Sequence, residues 1–247
     1  MRRIWPPGDD TELDDLALEK LYEFPSRERW VAVNYVSSAD GAVTVDGLSA
    51  GLTNTADQRV FRLGRDLSDV VLVGAGTAVR EGFEGFRADA LMTERRQRHG
   101  LSDGPPPIAV VTSGPSLVPD APVLSAPSAQ TIVLTCDAAP LPSRKAWAAA
   151  GAQVEIVGDS TVDLHYGMEV LQRMGFARID CDGGPMLFGS LLASRLVDEL
   201  RLTISPMLTA GMAGRIARSA QLDPASLDLA STLVDGDTLL LRYLVRR

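Results

Sequence analysis

The sequence predicts an α/β fold, with a mixed, mostly parallel sheet flanked by helices and an antiparallel hairpin at its C-terminal end. Three observations carry this. Short β-branched and apolar runs such as "DVVLVG" (69–74) recur with helical segments between them, as in parallel strands covered on both faces. Glycine-rich turns stand where such strands give way to helices. Near the end, Asp235-Gly236 separates two alternating stretches, a strong hairpin signal.

Taken in order, "ELDDLALEKLYEF" (12–24) places Leu13, Leu16, Ala17 and Leu21 on one helical face. "WVAVNYV" (30–36) is a strand, turned by Asp40-Gly41. "TADQRVFRLGRDL" (55–67) is a helix, with Thr53, Asn54 or Thr55 available as its cap. Residues 108–112, 131–135 and 154–157 repeat the buried-strand type of 69–74, and helices fit 142–150 and 163–174. "RID" (178–180) is a further inner strand. "GGPMLFGSLLASRL" (183–196) is a helix with Pro185 in its first turn, and 198–205 follows as a strand. Residues 99–107 and 113–130 read as loops. The organisation expected is an N-terminal extension with a helix (1–29) and one domain (30–247).

Composition excludes several classes. With 247 residues and a net charge of −8, the chain has ample length for a core and the wrong sign for nucleic acid or an anionic membrane. No apolar run spans a bilayer, and "MRRIWPPGDD" lacks the apolar core of a secretory signal. Cys136 and Cys181 lack metal-ligand spacing and read as buried thiols of a cytoplasmic protein. Two histidines, His99 and His165, give no histidine-rich metal site, and no metal is expected. No G-x-S-x-G elbow marks a serine hydrolase.

The chemistry concentrates at three places. Gly74-Ala75-Gly76-Thr77 follows a strand and opens a helix, but it lacks the third glycine of a dinucleotide fingerprint and no G-K-[ST] follows. Bare backbone N–H groups for a phosphate and a plain tight turn explain this loop equally well. A second loop, Gly183-Gly184-Pro185, also joins strand to helix, and two such loops could grip a pyrophosphate. Ser38 and Asp40 end the first domain strand, at the edge where open α/β sheets bind ligands; a turn-forming aspartate is the alternative reading.

Together, "VAVNYVSSADG", "LTNTADQRVFRLGRDLSDVVLVGAGTAV" and "CDGGPMLFGSLLASRLVDELRLTISPML" resemble the reductase half of the bifunctional riboflavin-biosynthesis deaminase/reductase, over roughly residues 30 to 245. The resemblance implies a dihydrofolate-reductase-like fold, NADPH as cofactor, a small-molecule substrate and a homodimer. It implies cofactor contacts at Thr53, Asp57, Gly74, Ala75, Gly76, Thr77, Gly183, Gly184, Pro185 and Met186, and, more weakly, at Val157. It places Ser38 and Asp40 beside the reacting groups, with Asp40 orienting substrate or relaying a proton. The zinc deaminase motifs are absent.

Departures fall on the substrate side. "REGFEGFRAD" replaces the usual D-N-P-x-L-T-x-R, leaving Arg87 for the basic role among Glu81 and Glu84. Asn34 stands where lysine is usual, and Asp182 replaces the glutamate of E-G-G-P. Arg59, Arg62 and Arg65 form a solvated face by default, one of them free to reach a phosphate. Thr112, Ser113 and Ser116 are candidate partners for a cofactor 2′-phosphate. The expected reaction is hydride transfer to a C=N carbon, with 5-amino-6-(5-phosphoribosylamino)uracil as leading substrate and dihydrofolate or a related pterin as the alternative. A cofactor-binding protein without turnover is the reading from another class.

Overall fold

The computed structural model describes residues 1–7, 12–26, 29–125 and 129–246. Among them, ten strands form one sheet in the order β1-β9-β10-β8-β2-β7-β3-β4-β5-β6. The parallel part comprises β2 (Trp30–Ser38), β3 (Val70–Gly74), β4 (Ile108–Val111), β5 (Thr131–Thr135), β6 (Gln153–Ile156), β7 (Arg178–Cys181) and β8 (Glu199–Ser205). β9 (Leu227–Asp235) and β10 (Thr238–Val245) are the expected hairpin, antiparallel to each other, with β10 also antiparallel to β8. Gly236 takes φ +56° in its turn, a conformation that glycine adopts without strain.

Two elements were not anticipated. β1 (Arg2–Trp5) pairs antiparallel with β9, so the N-terminal segment joins the sheet. α4 (Ala90–Arg98) carries Arg95 and Arg96 buried. Arg95 reaches Glu19 and Asp66 at 3.0 and 2.5 Å, and Arg96 donates to the carbonyls of Asp66, Ser68 and Ser102. The expected face of the first helix also needs correcting. α1 (Asp15–Tyr22) buries Leu18, Glu19 and Tyr22, whereas Leu16 is exposed. Glu19 goes inside because Arg95 and Arg98 accompany it.

The chain runs from β2 through α2 (Thr55–Asp66) to β3 but leaves one slot between the two strands, which β7 fills much later. The carboxyl ends of β2, β7 and β3 therefore lie side by side, and the loops after them meet. Strand alternation divides the core. Val31, Val33, Val70, Leu72, Ile179 and Cys181 pack on one side with α6 (Leu164–Arg173) and α7 (Pro185–Ala193). Trp30 and Ala32 pack on the other side with α1 and α2. Asn34, Asp180, Glu199 and Arg201 alternate onto the α2 side, yet all are buried. Gly64 makes the room. A Cβ there would lie 2.8 Å from Asp180 Oδ1 and 3.0 Å from Arg201 Nη1. A mid-helix glycine costs about 1 kcal/mol relative to alanine, and here it admits the charged side chains beneath α2.

Candidate active site

At the carboxyl ends of β2, β7 and β3 lies a cavity of about 290 Å³. β2 contributes Asn34, Tyr35 and Val36, and the loop after it Thr44, Ser49 and Thr53. α2 contributes Asp57, Phe61 and Arg65, spaced four apart and so on one helical stripe. The opposite wall is Thr77, Arg80, Glu81 and Phe83 from α3 (Ala75–Arg80) and the turn after it, with Asp182, Gly184 and Pro185 from the β7–α7 loop.

The two glycine loops touch. Gly74 N–H donates to Gly183 O at 2.8 Å, and a Cβ on Gly184 would collide with the Thr77 hydroxyl. They form one cradle, not two separate grips. Within it Gly76 is exposed, and a Cβ built there meets nothing within 4 Å.

Below the cavity runs a buried polar chain. Arg65 Nε and Nη2 lie 2.8 and 2.7 Å from Asp182 Oδ2, and the guanidinium stacks 4.0 Å from Phe61 and 4.6 Å from Phe86. Asn34 Nδ2 donates to Asp180 Oδ1 at 2.6 Å, with Arg201 Nη1 3.5 Å from the same oxygen. Arg201 and Arg242 both donate to Glu199 Oε1 at 2.7 Å. Asp182 Oδ1, Asn34 Oδ1 and Tyr35 Oη are buried with no hydrogen-bond partner in the structure. All three belong to residues that line the cavity.

Electrostatics separates the carboxylates. Burial pushes Asp180 up to about 7, helped by the Asp182 charge and opposed by Arg201. Burial also raises Asp182, against the pull of Arg65. Asp57 is raised by burial, with hydrogen bonds from Thr203 and Thr53 opposing. Glu199 is the reverse case: burial would raise it, but Arg201 and Arg242 hold it at about 2. Asp180 gives a testable consequence. Its folded pKa stands above its ordinary 3.8, so the folded chain holds the extra proton between about pH 4 and 7 and loses stability as pH rises through that window. Asp180→Asn removes this slope. Thermal melts of both proteins from pH 4 to 8 check it; parallel curves would contradict a proton held at Asp180.

A sequence profile of the RibD C-terminal domain matches residues 29–241. The chain belongs to the RibD C-terminal domain family. It is 30% identical over 223 residues to the 2,5-diamino-6-ribosylamino-4(3H)-pyrimidinone 5′-phosphate reductase of Methanothermobacter thermautotrophicus, covering 88% of this chain and 98% of that one. The enzyme of the same name from Archaeoglobus fulgidus is 29% identical over 183 residues, covering 74% and 82%. Among solved structures, a pyrimidine reductase-like protein of Corynebacterium diphtheriae superposes with TM-score 0.75 at 22% identity, covering 89% of this chain and 92% of that one. The riboflavin biosynthesis reductase of Saccharomyces cerevisiae gives 0.65 at 15% identity, covering 94% and 100%. The dihydrofolate-reductase-like mixed sheet is the fold this RibD-type chain shares with them.

Within this family frame, the structure gathers Asn34, Thr53, Asp57, Thr77, Gly184 and Pro185 on the cavity, with Gly74, Ala75, Gly76 and Gly183 in the touching loops. Thr53 Oγ1 donates to Asp57 at 3.0 Å, and the α2 cap is Asn54. Met186 is exposed in the first turn of α7. Four expectations land elsewhere. Val157 is fully buried in the core, and both its backbone polar groups are engaged, with Thr135 and Asp163. Arg87 is exposed and not part of the cavity wall. Thr112 is buried, and its hydroxyl accepts from Gly114 N–H, leaving Ser113 and Ser116 exposed. Ser38 and Asp40 lie off the wall: Ser38 donates to Asp40, whose carboxylate also accepts from the N–H groups of Thr209 and Ala210. These bonds, Ser38 first, hold Asp40 down at about 2.

The residues that sequence reasoning undervalued are Arg65 and Asp182. On sequence Arg65 is one of three arginines on a solvated helix face; in the structure its eight-residue spacing from Asp57 puts it on the cavity stripe. Asp40 in turn reads as a clamp on the 205–210 segment. Asp40→Asn therefore keeps turnover close to wild type but quickens amide exchange at Thr209 and Ala210. A fall in turnover of roughly 10² would return Asp40 to a proton-transfer role.

Proposed function

We propose that this chain is an NADPH-dependent reductase of a phosphoribosylamino-pyrimidine. Its substrate is 5-amino-6-(5-phosphoribosylamino)uracil or the diamino-pyrimidinone phosphate named for its relatives. The observation that carries this reading is the cavity itself, which brings both glycine loops against an arginine-held carboxyl, Asp182, with a free buried oxygen. The open space over Gly76 fits a cofactor phosphate approaching bare backbone, with Thr77 beside it. Ser113 and Ser116 remain as polar partners for a 2′-phosphate. When bound, NADPH supplies the hydride that reduces a C=N carbon.

The chain's own residues do the rest. Arg65, packed on Phe61 and Phe86, fixes Asp182 through Oδ2 and leaves Oδ1 for the substrate. Burial shifts Asp182 toward its protonated form, against the pull of Arg65, and its carboxyl can hold or pass the one proton the reduction consumes. Asn34 Oδ1 and Tyr35 Oη offer an acceptor and a donor to the heterocycle. Phe61 and Phe83 exclude water. The same reading includes a homodimer.

The test is a side-by-side turnover assay with the uracil phosphate, the diamino-pyrimidinone phosphate and dihydrofolate, following loss of reduced cofactor. Oxidation with a pyrimidine phosphate and none with dihydrofolate is expected. Oxidation with dihydrofolate alone would replace the substrate, and cofactor binding without oxidation would replace the activity.

A further inference from the structure

A substrate with a 5′-phosphate, as in the names of the relatives, calls for a cation placed to meet a dianion. The sequence nominates Arg87, but among the described residues the arginines on the cavity wall are Arg65 and Arg80. Arg65 is committed. Two of its nitrogens bind Asp182 Oδ2 at 2.8 and 2.7 Å, and phenylalanine rings cover the guanidinium at 4.0 and 4.6 Å. Its charge is largely balanced inside the site, and the aromatic packing fixes its direction.

Arg80 is differently placed. It is the last residue of α3, exposed, and makes no ion pair among the described residues. The chain beside it is pinned: Ser49 N–H donates to Glu81 Oε1 at 3.3 Å, which holds the 49–51 turn against the end of α3. Ser49 and Thr44 line the same cavity, so hydroxyl donors share the wall with the uncommitted guanidinium, while the Thr53 hydroxyl is given to Asp57. Glu81 is the acidic side chain beside it in sequence, engaged by that Ser49 amide, and the other carboxyls on the wall, Asp57 and Asp182, accept from Thr53 and Arg65.

We infer that Arg80, and not Arg87, is the specificity-determining residue for the substrate's phosphate, met by the guanidinium together with the hydroxyls of Thr44 and Ser49 on the same wall. This inference rests on the pyrimidine-phosphate reading above and names the residue that would make the phosphate count. The role is one of binding. Arg80 sits at the rim, and the proton-handling carboxyl is held by Arg65 at the floor.

Calorimetric binding decides it without relying on turnover. The phosphorylated pyrimidine and its dephosphorylated riboside are titrated into wild type, Arg80→Ala and Arg87→Ala loaded with the oxidised cofactor NADP⁺, which cannot donate hydride. Wild type should prefer the phosphate, Arg80→Ala should lose that preference by about tenfold, and Arg87→Ala should keep it, as expected for one charge-assisted contact. Inorganic phosphate should compete with the phosphorylated ligand on wild type and lose that effect in Arg80→Ala. A preference intact in Arg80→Ala, a preference lost in Arg87→Ala, or a wild type that binds both ligands equally or neither would overturn the assignment. Wild type that binds with the expected preference but does not oxidise NADPH would leave Arg80 in place and remove the catalytic reading instead.

Discussion

Gly76→Val folds and no longer binds NADPH. The backbone at Gly76 lies outside the left-handed region, and a Cβ there touches nothing within 4 Å, so the protein itself tolerates the side chain. What the branched side chain fills is the space over the bare N–H groups at the start of α3, where a cofactor phosphate must approach. A melt close to wild type, together with a flat cofactor titration by fluorescence, is the expected pair of results. The neighbouring glycines make poor probes. A side chain on Gly184 collides with the Thr77 hydroxyl, and Gly183 combines φ +87° with Tyr35 Oη 2.7 Å from a built Cβ. Substitutions there disturb the loops whatever the ligand does. Gly76→Val that binds NADPH at wild-type affinity would contradict the cradle.

Asp182→Asn loses turnover by roughly 10³-fold, within the range for removing a positioned acid–base group. Asparagine keeps the shape and an acceptor for Arg65, which is itself partly exposed and tolerates the lost ion pair. It cannot hold or release the proton. NADPH affinity stays near wild type, because the glycine cradle is untouched. Steady-state rates and cofactor titration on the same preparation separate these effects. Near-wild-type turnover would move the proton to water and leave Asp182 as an anchor for Arg65.

The fold was legible wherever burial is apolar and local. "DVVLVG" gave β3, and the Asp235-Gly236 turn gave the β9–β10 hairpin, because each signal sits within a few residues. β1 was not legible. Four residues carry no usable period, and the partner strand lies at the far end of the chain. α4 was hidden by composition, since two of the three residues it buries, Arg95 and Arg96 beside Met92, are arginines. The site shows the same division. The glycine loops announce themselves through backbone chemistry, and both meet at the cavity. The charged floor does not. "ELRLT" in β8 alternates as a half-exposed strand would, yet Glu199 and Arg201 face inward, neutralised by Arg242 and Asp180 from separate strands. Pairing across such distances is a property of the fold, and Asp182 became a candidate only once Arg65 was seen to hold it.

The most direct test of the central claim is transfer of label. NADPH carrying deuterium at the transferable position of the nicotinamide is incubated with the protein and the pyrimidine phosphate, and the product is examined by mass spectrometry and NMR. The account predicts one deuterium on the former C=N carbon of the sugar chain in wild type, and none above background with Gly76→Val. Unlabelled product, or no product while cofactor and substrate both bind, would contradict it.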